Sequence, residues 1–330
     1  MRTYYITGIT GFVGYNFYLK IKNEDVKIIA FTMKNDRNKK LFENDKKVTF
    51  IDGDISNFND VEKFLSTKSE GEKYIIHIAG KITTLKNGDP LIDKINYVGT
   101  KNIVDVSNKY DFKKVLCVSS VDAIEVNKKD NNKIYEPSYY NEEKVEGIYA
   151  KSKARANNYI IDHCKNYIII LPSAIVGPND YTGAPINVAV NKVVSNKMKA
   201  YVSGGYNIVD VRDVVDGMLA AINSPYVNTS YLFVGHRLSI KEVLRKTAKL
   251  ACVSNPLFAV PHIFVKMVSP FIVLSAKRKK KTPLFTGFAM NCLKVNPNFS
   301  SDKAIKELNY NVRDLDSSIK DTIEFVKHHN

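Results

Sequence analysis

Residues 1–14 read MRTYYITGITGFVG. The apolar run Tyr4-Tyr5-Ile6 has the character of a short strand, and it runs straight into Gly8, Gly11 and Gly14 at G-x-x-G-x-x-G spacing. Glycine costs backbone entropy, so three in fourteen residues call for a physical reason. A glycine-rich turn from strand to helix lets backbone N–H groups approach a pyrophosphate, and the helix dipole favours negative charge there. Gly8 permits the tight turn, Gly11 the close approach and Gly14 the packing of helix on strand. The opening stretch therefore reads as a dinucleotide cradle, provided that a βαβ pattern follows it.

Such a pattern does follow. Strands are expected at Thr3–Ile6, Lys27–Thr32, Val48–Ile51, Tyr74–Ile78, Val115–Ser119 and Tyr167–Leu171. Helical periodicity lies between them, over Phe12–Lys22, Phe58–Leu65, Leu91–Tyr110 and Glu146–Cys164. Alternation of β-branched strands with helices predicts an α/β fold with a Rossmann-like, doubly wound parallel sheet. The polar stretch Asn127–Tyr140 reads as a loop. Beyond residue 172, Pro172, Pro178, Gly183 and Pro185 break the pattern, and helices resume at Asn187–Ser195, Val211–Ile222 and Ile240–Ala251, with a last one ending near Phe325. We expect residues 1–172 to form an NAD(P)-binding domain. Residues 173–330 should form a smaller, mostly helical substrate-binding region, some of whose elements return to the sheet.

The composition is that of a globular protein: 330 residues, 44% hydrophobic and 25% charged, with ample material for a core. The first residues read as a strand rather than a secretory signal, and no apolar run is long enough to span a bilayer. The scattered Cys117, Cys164, Cys252 and Cys292 form no C-x-x-C pair, which suits reduced thiols in a cytoplasmic protein. The net charge of +15 is spread along the chain without a nucleic-acid motif. It reads as a solvated surface whose field also suits an anionic cofactor or substrate, and no nucleic-acid partner is expected.

An acid at the end of the second strand would accept hydrogen bonds from the adenosine 2′-OH and select NAD. Thr32 occupies that place and is neutral. Lys34 and Arg37 follow, placed to meet a 2′-phosphate, so NADP(H) is favoured; Asp36 keeps NAD(H) open. After the third strand, FIDGDIS offers the Asp54 carboxylate to the adenine amino group, with a helix-preceding turn as the equal alternative.

The chemistry is read from IYAKSKARANNYII. Tyr149 and Lys153 are four apart on a helix and share a face. A free phenol titrates near ~10, and an adjacent ammonium stabilises the phenolate. In LCVSSVDA, Ser119 and Ser120 stand at the C-terminal end of a strand, where open parallel sheets bind ligands. A hydroxyl there can donate to a substrate carbonyl while the tyrosine transfers a proton.

These pieces together resemble the extended short-chain dehydrogenases/reductases of the NAD-dependent epimerase/dehydratase superfamily. The matching segments are TGITGFVG, GDIS, HIAG, NYVGT, VSS, YAKSK and LPSAIVGP, followed by GGYNIVDVRDVVDG and the closing NFSSDKAIKELNYNVRDLDSSIKDTIEFVK. The likeness is strongest to the dihydroflavonol reductase and 3β-hydroxysteroid dehydrogenase branch. The resemblance implies Tyr149 as general acid/base, Lys153 as its electrostatic partner and ribose ligand, and Ser120 as the group polarising the carbonyl. It implies Gly8, Gly11, Phe12, Val13 and Gly14 at the pyrophosphate, Asp54 and Ile55 at adenine, Ala79 and Gly80 along the cofactor, and Pro172 and Ser173 at the nicotinamide. Asn96 is implied to support the site rather than react. Arg155, where relatives often carry glutamate, is expected on the helix exterior without consequence. Dimerisation is common in the family and is implied here.

Other chemistries find little support. The six histidines show no metal-ligand spacing, so no metal is expected, and His77 reads as a buried, satisfied strand residue. No G-x-S-x-G elbow accompanies a Ser–His–Asp order. The apolar Pro256–Leu274 and the basic Lys277–Lys281 read as pocket wall, with peripheral membrane contact as the second reading. The expected activity is an NADP(H)-linked interconversion of a carbonyl and a secondary alcohol on a small, apolar molecule. A nucleotide-sugar epimerase or dehydratase with tightly held NAD, or a non-catalytic dinucleotide sensor, are the alternatives.

Overall fold

The computed structural model describes residues 1–87, 89–127, 131–255, 258–261, 264, 288 and 293–329. The chain begins with β1 (Arg2–Thr7), α1 (Phe12–Ile21), β2 (Val26–Thr32), a 3-10 turn (Arg37–Phe42), β3 (Val48–Asp52), α2 (Phe58–Leu65) and β4 (Glu72–His77). There follow α3 (Leu91–Asp93), a π-helical segment (Lys94–Val98), α4 (Gly99–Ser107), β5 (Lys114–Val118), α5 (Ile148–His163) and β6 (Tyr167–Pro172). The remainder comprises β7 (Ala174–Val176), α6 (Pro185–Val194), β8 (Ala200–Val202), β9 (Gly205–Asp210), α7 (Val211–Asn223), β10 (Thr229–Phe233), β11 (His236–Ser239), α8 (Ile240–Ala251), β12 (Phe258–Val260), α9 (Asp302–Leu308) and α10 (Leu315–His328).

The main sheet has the order β10-β6-β5-β4-β1-β2-β3, and its pairings are parallel throughout. Its strands are rich in isoleucine and valine and buried on both faces, which is why they read as near-continuous apolar runs. Successive residues separate into two cores: Tyr4, Ile6, Ile28 and Ile76 face α1 and α7, while Tyr5, Ile29 and Ile75 face the opposite layer. The strand order reverses between β1 and β4, so the crevice at their C-terminal ends is the switch point where such sheets take ligands. From the second half of the chain, β10 joins the sheet edge beside β6, while β7, β9 and β11 make a separate small sheet. Glu136, in the polar loop after β5, accepts from the Leu232 N–H on β10 (2.7 Å) and ties that loop to the sheet edge.

Two local expectations are corrected. The periodicity over Leu91–Tyr110 predicts one continuous helix, but the chain widens into the π-helical segment before α4. Asn96 sits in that segment, fully buried, and its amide serves the loop after β4 rather than the helix. A π-turn re-aims one residue in this way. Arg155 is not an inconsequential exterior residue: it pairs with Asp93 and Glu142 (3.1 Å to the latter) and lies over the Tyr97 ring, clamping α5 to the segment carrying Asn96.

Among the described residues no helix is long and apolar enough to cross a membrane. The basic cluster Lys277–Lys281 and most of Pro256–Leu274 lie outside the described residues.

Candidate active site

The glycine turn is closed behind and open in front. Gly8 has φ +74°, and a Cβ there would stand 2.7 Å from the Ala79 nitrogen, so β1 and β4 meet backbone to backbone at the switch point. A Cβ on Gly14 would come within 2.1 Å of the Gly8 carbonyl oxygen. Among the described residues, a Cβ on Gly11 would meet only that oxygen, at 3.2 Å. Gly11 is also the N-cap of α1 and supplies no side chain to cap it, which leaves the first-turn N–H groups of Phe12 and Val13 for a ligand.

Threonine residues to which the sequence reading gives no role brace this turn. Thr7 Oγ1 accepts from the Ala79 N–H (3.2 Å) and bonds His77 Nδ1 (2.7 Å), and His77 Nε2 bonds Thr100 Oγ1 (2.9 Å). His77 is thus the satisfied buried residue expected of it, and burial drives its pKa down to about 3. An unfolded histidine titrates near ~6.5, so the unfolded chain binds the extra proton between these values. Stability should therefore be complete above about pH 6.5 and decline as pH falls toward 3, by about 2–3 kcal/mol at pH 4.5 from this residue. Urea unfolding at pH 7 and 4.5 checks this: His77→Gln should flatten the pH dependence, and an unchanged slope would contradict it.

Thr10 Oγ1 donates to Asp36 Oδ2 (2.6 Å), while Asp36 Oδ1 accepts from the Asn38 N–H (2.9 Å). The Asp36 carboxylate is therefore pinned against the glycine turn. Lys34 and Arg37 on either side are exposed. Thr32, at the end of β2, is buried and within 3.4 Å of Asp52. Asp54 is exposed, and its Oδ1 accepts from the N–H and hydroxyl of Ser56 (2.9 Å each), so its side chain closes its own turn. Ile55 is buried, with a Cβ on Gly99 coming 2.9 Å from its Cγ2.

At the C-terminal ends of β5 and β6 the polar side chains converge. Lys153 is buried on α5, and its Nζ donates to the Val118 carbonyl (3.0 Å); a Cβ on Gly80 would stand 3.3 Å from that nitrogen. Burial lowers the Lys153 pKa to about 8, with Cys117 opposing that shift. Asn96 accepts from the Lys81 N–H (2.8 Å) and donates to the Lys81 carbonyl (3.0 Å) and to Ser152 Oγ (3.1 Å), joining the loop after β4 to α5 beside Lys153. Tyr149 is half-buried one turn before Lys153. Burial raises its phenol pKa and the nearby Asp122 raises it further, while a hydrogen bond with Ser120 acts to lower it. The sequence reading expects an ammonium to hold the phenol down; burial instead dominates, and Lys153 is drawn to a backbone carbonyl. Ser120 Oγ accepts from the Asp122 N–H (3.1 Å). Pro172 ends β6 opposite Phe233, and the Ser173 N–H donates to the Phe233 carbonyl (3.1 Å).

The residues present fit a dinucleotide. Among the described residues the turn is open only at Gly11, and both Ser173 Oγ and Ser119 Oγ are buried without a hydrogen-bond partner at the strand ends. Buried hydroxyls carry a desolvation cost unless something bonds them, so they suit the amide and hydroxyl groups of a bound cofactor.

Comparison with known proteins gives the family. The chain is 24% identical over 336 residues to a putative dihydroflavonol 4-reductase of Synechocystis, covering 99% of this chain and 95% of that protein. It is 24% identical over 311 residues to sterol demethylase protein B of Methylococcus capsulatus, covering 92% of each. The crystal structure of gox2253 superposes with a TM-score of 0.81 at 26% identity, covering 99% of this chain and 98% of that one. A sequence model described as the NAD dependent epimerase/dehydratase family matches residues 4–232. With its parallel sheet, glycine turn and Tyr149–Lys153 helix, the chain belongs to the NAD dependent epimerase/dehydratase family, among the extended short-chain dehydrogenases/reductases.

Proposed function

We propose that the protein is an NADP(H)-dependent oxidoreductase that interconverts a carbonyl and a secondary alcohol on a small, apolar substrate. The observation that supports this reading is that Ser120 acts on the Tyr149 phenol while Lys153, one helical turn on, is held at the Val118 carbonyl two residues before that serine, beside the glycine turn. Two relatives bear the words dihydroflavonol and sterol in their names, which supports an apolar ring compound as substrate.

When bound, the dinucleotide supplies or accepts a hydride. Gly8, Gly11, Gly14 and the N–H groups of Phe12 and Val13 hold its pyrophosphate. Ile55, Ala79 and Gly80 line its path, Asp54 stands at the adenine end, and Pro172 and Ser173 receive the nicotinamide. In the reductive direction, the Ser120 hydroxyl donates to the substrate carbonyl oxygen and stabilises the charge that grows there. Tyr149 gives its proton to that oxygen. A phenol with a raised pKa is protonated at neutral pH and ready to donate. The Lys153 ammonium binds ribose hydroxyls and stabilises the phenolate left behind. Following NADPH absorbance against a panel of ketones tests the reading. Net oxidation of NADPH supports it, and substrate conversion without net oxidation would mark an epimerase instead.

Exposed Lys34 and Arg37 support the choice of NADP(H), as cations free to meet a 2′-phosphate. A second reading rests on the Asp36 carboxylate held by Thr10, which can accept from a ribose 2′-OH and favours NAD(H). On the first reading, Arg37→Ala raises the KM for NADPH by about 10-fold, the worth of one charge-assisted hydrogen bond, and leaves that for NADH unchanged. A rise for NADH in Asp36→Ala, with no effect of Arg37→Ala, would favour the second.

A further inference from the structure

We propose that Asp122 and Tyr206 form a substrate-reading pair: Asp122 accepts a hydrogen bond from a hydroxyl or amino group that the substrate carries close to its reacting carbonyl. The proposal rests on the reductase reading for the placement of that carbonyl.

Three observations converge. First, Asp122 is anchored to the reacting centre, since its backbone N–H donates to Ser120 Oγ at 3.1 Å. The charge of its carboxylate is felt by the Tyr149 phenol. Second, it is accessible yet enclosed. The side chain is exposed to solvent, while enough protein surrounds it that desolvation raises its pKa. Third, its partners are neutral. The Tyr206 hydroxyl, brought by β9 from 84 residues further along, donates to Asp122 Oδ1. Other carboxylates pair with cations, as in Asp52–Lys39, Asp302–Lys133 and Asp316–Lys246. Among the described residues no ion pair is made by Asp122. In a chain of net charge +15, an acid with no ion-pair partner among the described residues is conspicuous.

A carboxylate offers about four acceptor sites, so the Tyr206 bond leaves capacity for a ligand donor. The phenol fixes the carboxylate's direction, which makes it a reader of position and not a diffuse charge. A neutral substrate with a hydroxyl, or a cationic one with an amine, is favoured. A keto acid, with a carboxylate of its own beside the carbonyl, is repelled. A site built to bond a hydroxyl discriminates strongly against the analogue lacking it, because its own polar groups are then left unpaired.

The test uses the full chain saturated with NADP⁺ and two probes that differ by one hydroxyl, 2-hydroxyacetophenone and acetophenone. Binding is read by ligand-observed NMR, and reduction of the same ketones is read separately with NADPH. The parent protein should prefer the hydroxyketone by about 10-fold or more, as expected for one hydrogen bond to a charged group. Asp122→Ala should bring the ratio to within about 2-fold, and Tyr206→Phe should narrow it, with the affinity for NADPH unchanged in both. Equal affinity for the two ketones in the parent, or equal weakening of both in the variants, would overturn the pair. A binding preference without turnover would keep the pair and reject the reductase reading; turnover without preference would do the reverse.

Discussion

Replacing Tyr149 by phenylalanine is expected to lower kcat/KM for ketone reduction by about 10³-fold, the scale on which a positioned general acid accelerates a proton transfer. The variant should fold and bind dinucleotide as the parent does. The ring of Tyr149 remains, and only a hydroxyl in contact with Ser120 is lost, from a residue whose phenol is already desolvated. The loss should fall on kcat rather than on cofactor affinity, since the proton is passed in the transition state and not in the ground state. Steady-state kinetics, with NADPH fluorescence as the binding readout, separates the two. Turnover within a few-fold of the parent would remove Tyr149 from the reaction and leave the desolvated phenol as packing.

The second large effect belongs to the glycine turn. Gly11→Val should weaken dinucleotide binding by about 100-fold or more, equivalent to about 2.7 kcal/mol. Its cost to folding should stay near ~1 kcal/mol, because Gly11 already has φ −84° and ψ 175°, values that valine adopts readily. Among the described residues the new Cβ meets one carbonyl oxygen at 3.2 Å and otherwise enters the space proposed for the pyrophosphate. Gly14→Ala makes the contrast: its Cβ would fall 2.1 Å from the Gly8 oxygen, so that variant should be destabilised outright. Urea unfolding together with NADPH titration distinguishes the two glycines. Undiminished affinity in Gly11→Val would mean that the open face of the turn serves no phosphate.

Features that lie close together along the chain are legible in the amino-acid sequence alone. The spacing Gly8-Gly11-Gly14 after an apolar run specifies a strand, a tight turn and a helix start, all local. Tyr149 and Lys153 share a face because helical periodicity puts them there. The doubly wound sheet follows from alternating patterns, and its six expected strands lie within a residue or two of their limits, whereas β10, brought to the edge from the second half of the chain, is not foreseen. Long-range contacts are not legible. Nothing near Asp122 announces Tyr206, and nothing near Asn96 announces the Lys81 backbone groups that pull it into a π-turn. Thr10 reads as filler within the glycine motif until Asp36 is seen to take its hydroxyl. The direction of the Tyr149 shift is likewise hidden. The lysine one turn on can be read from spacing, but the desolvation that raises the phenol depends on everything packed around it.

The most direct measurement is a crystal structure of the protein with NADP⁺. The account predicts the pyrophosphate on the N–H groups of Phe12 and Val13, Lys153 Nζ bonded to the ribose, and the nicotinamide between Ser173 and the Tyr149 hydroxyl. A dinucleotide seated elsewhere, or a nicotinamide separated from Tyr149 by intervening side chains, would contradict it.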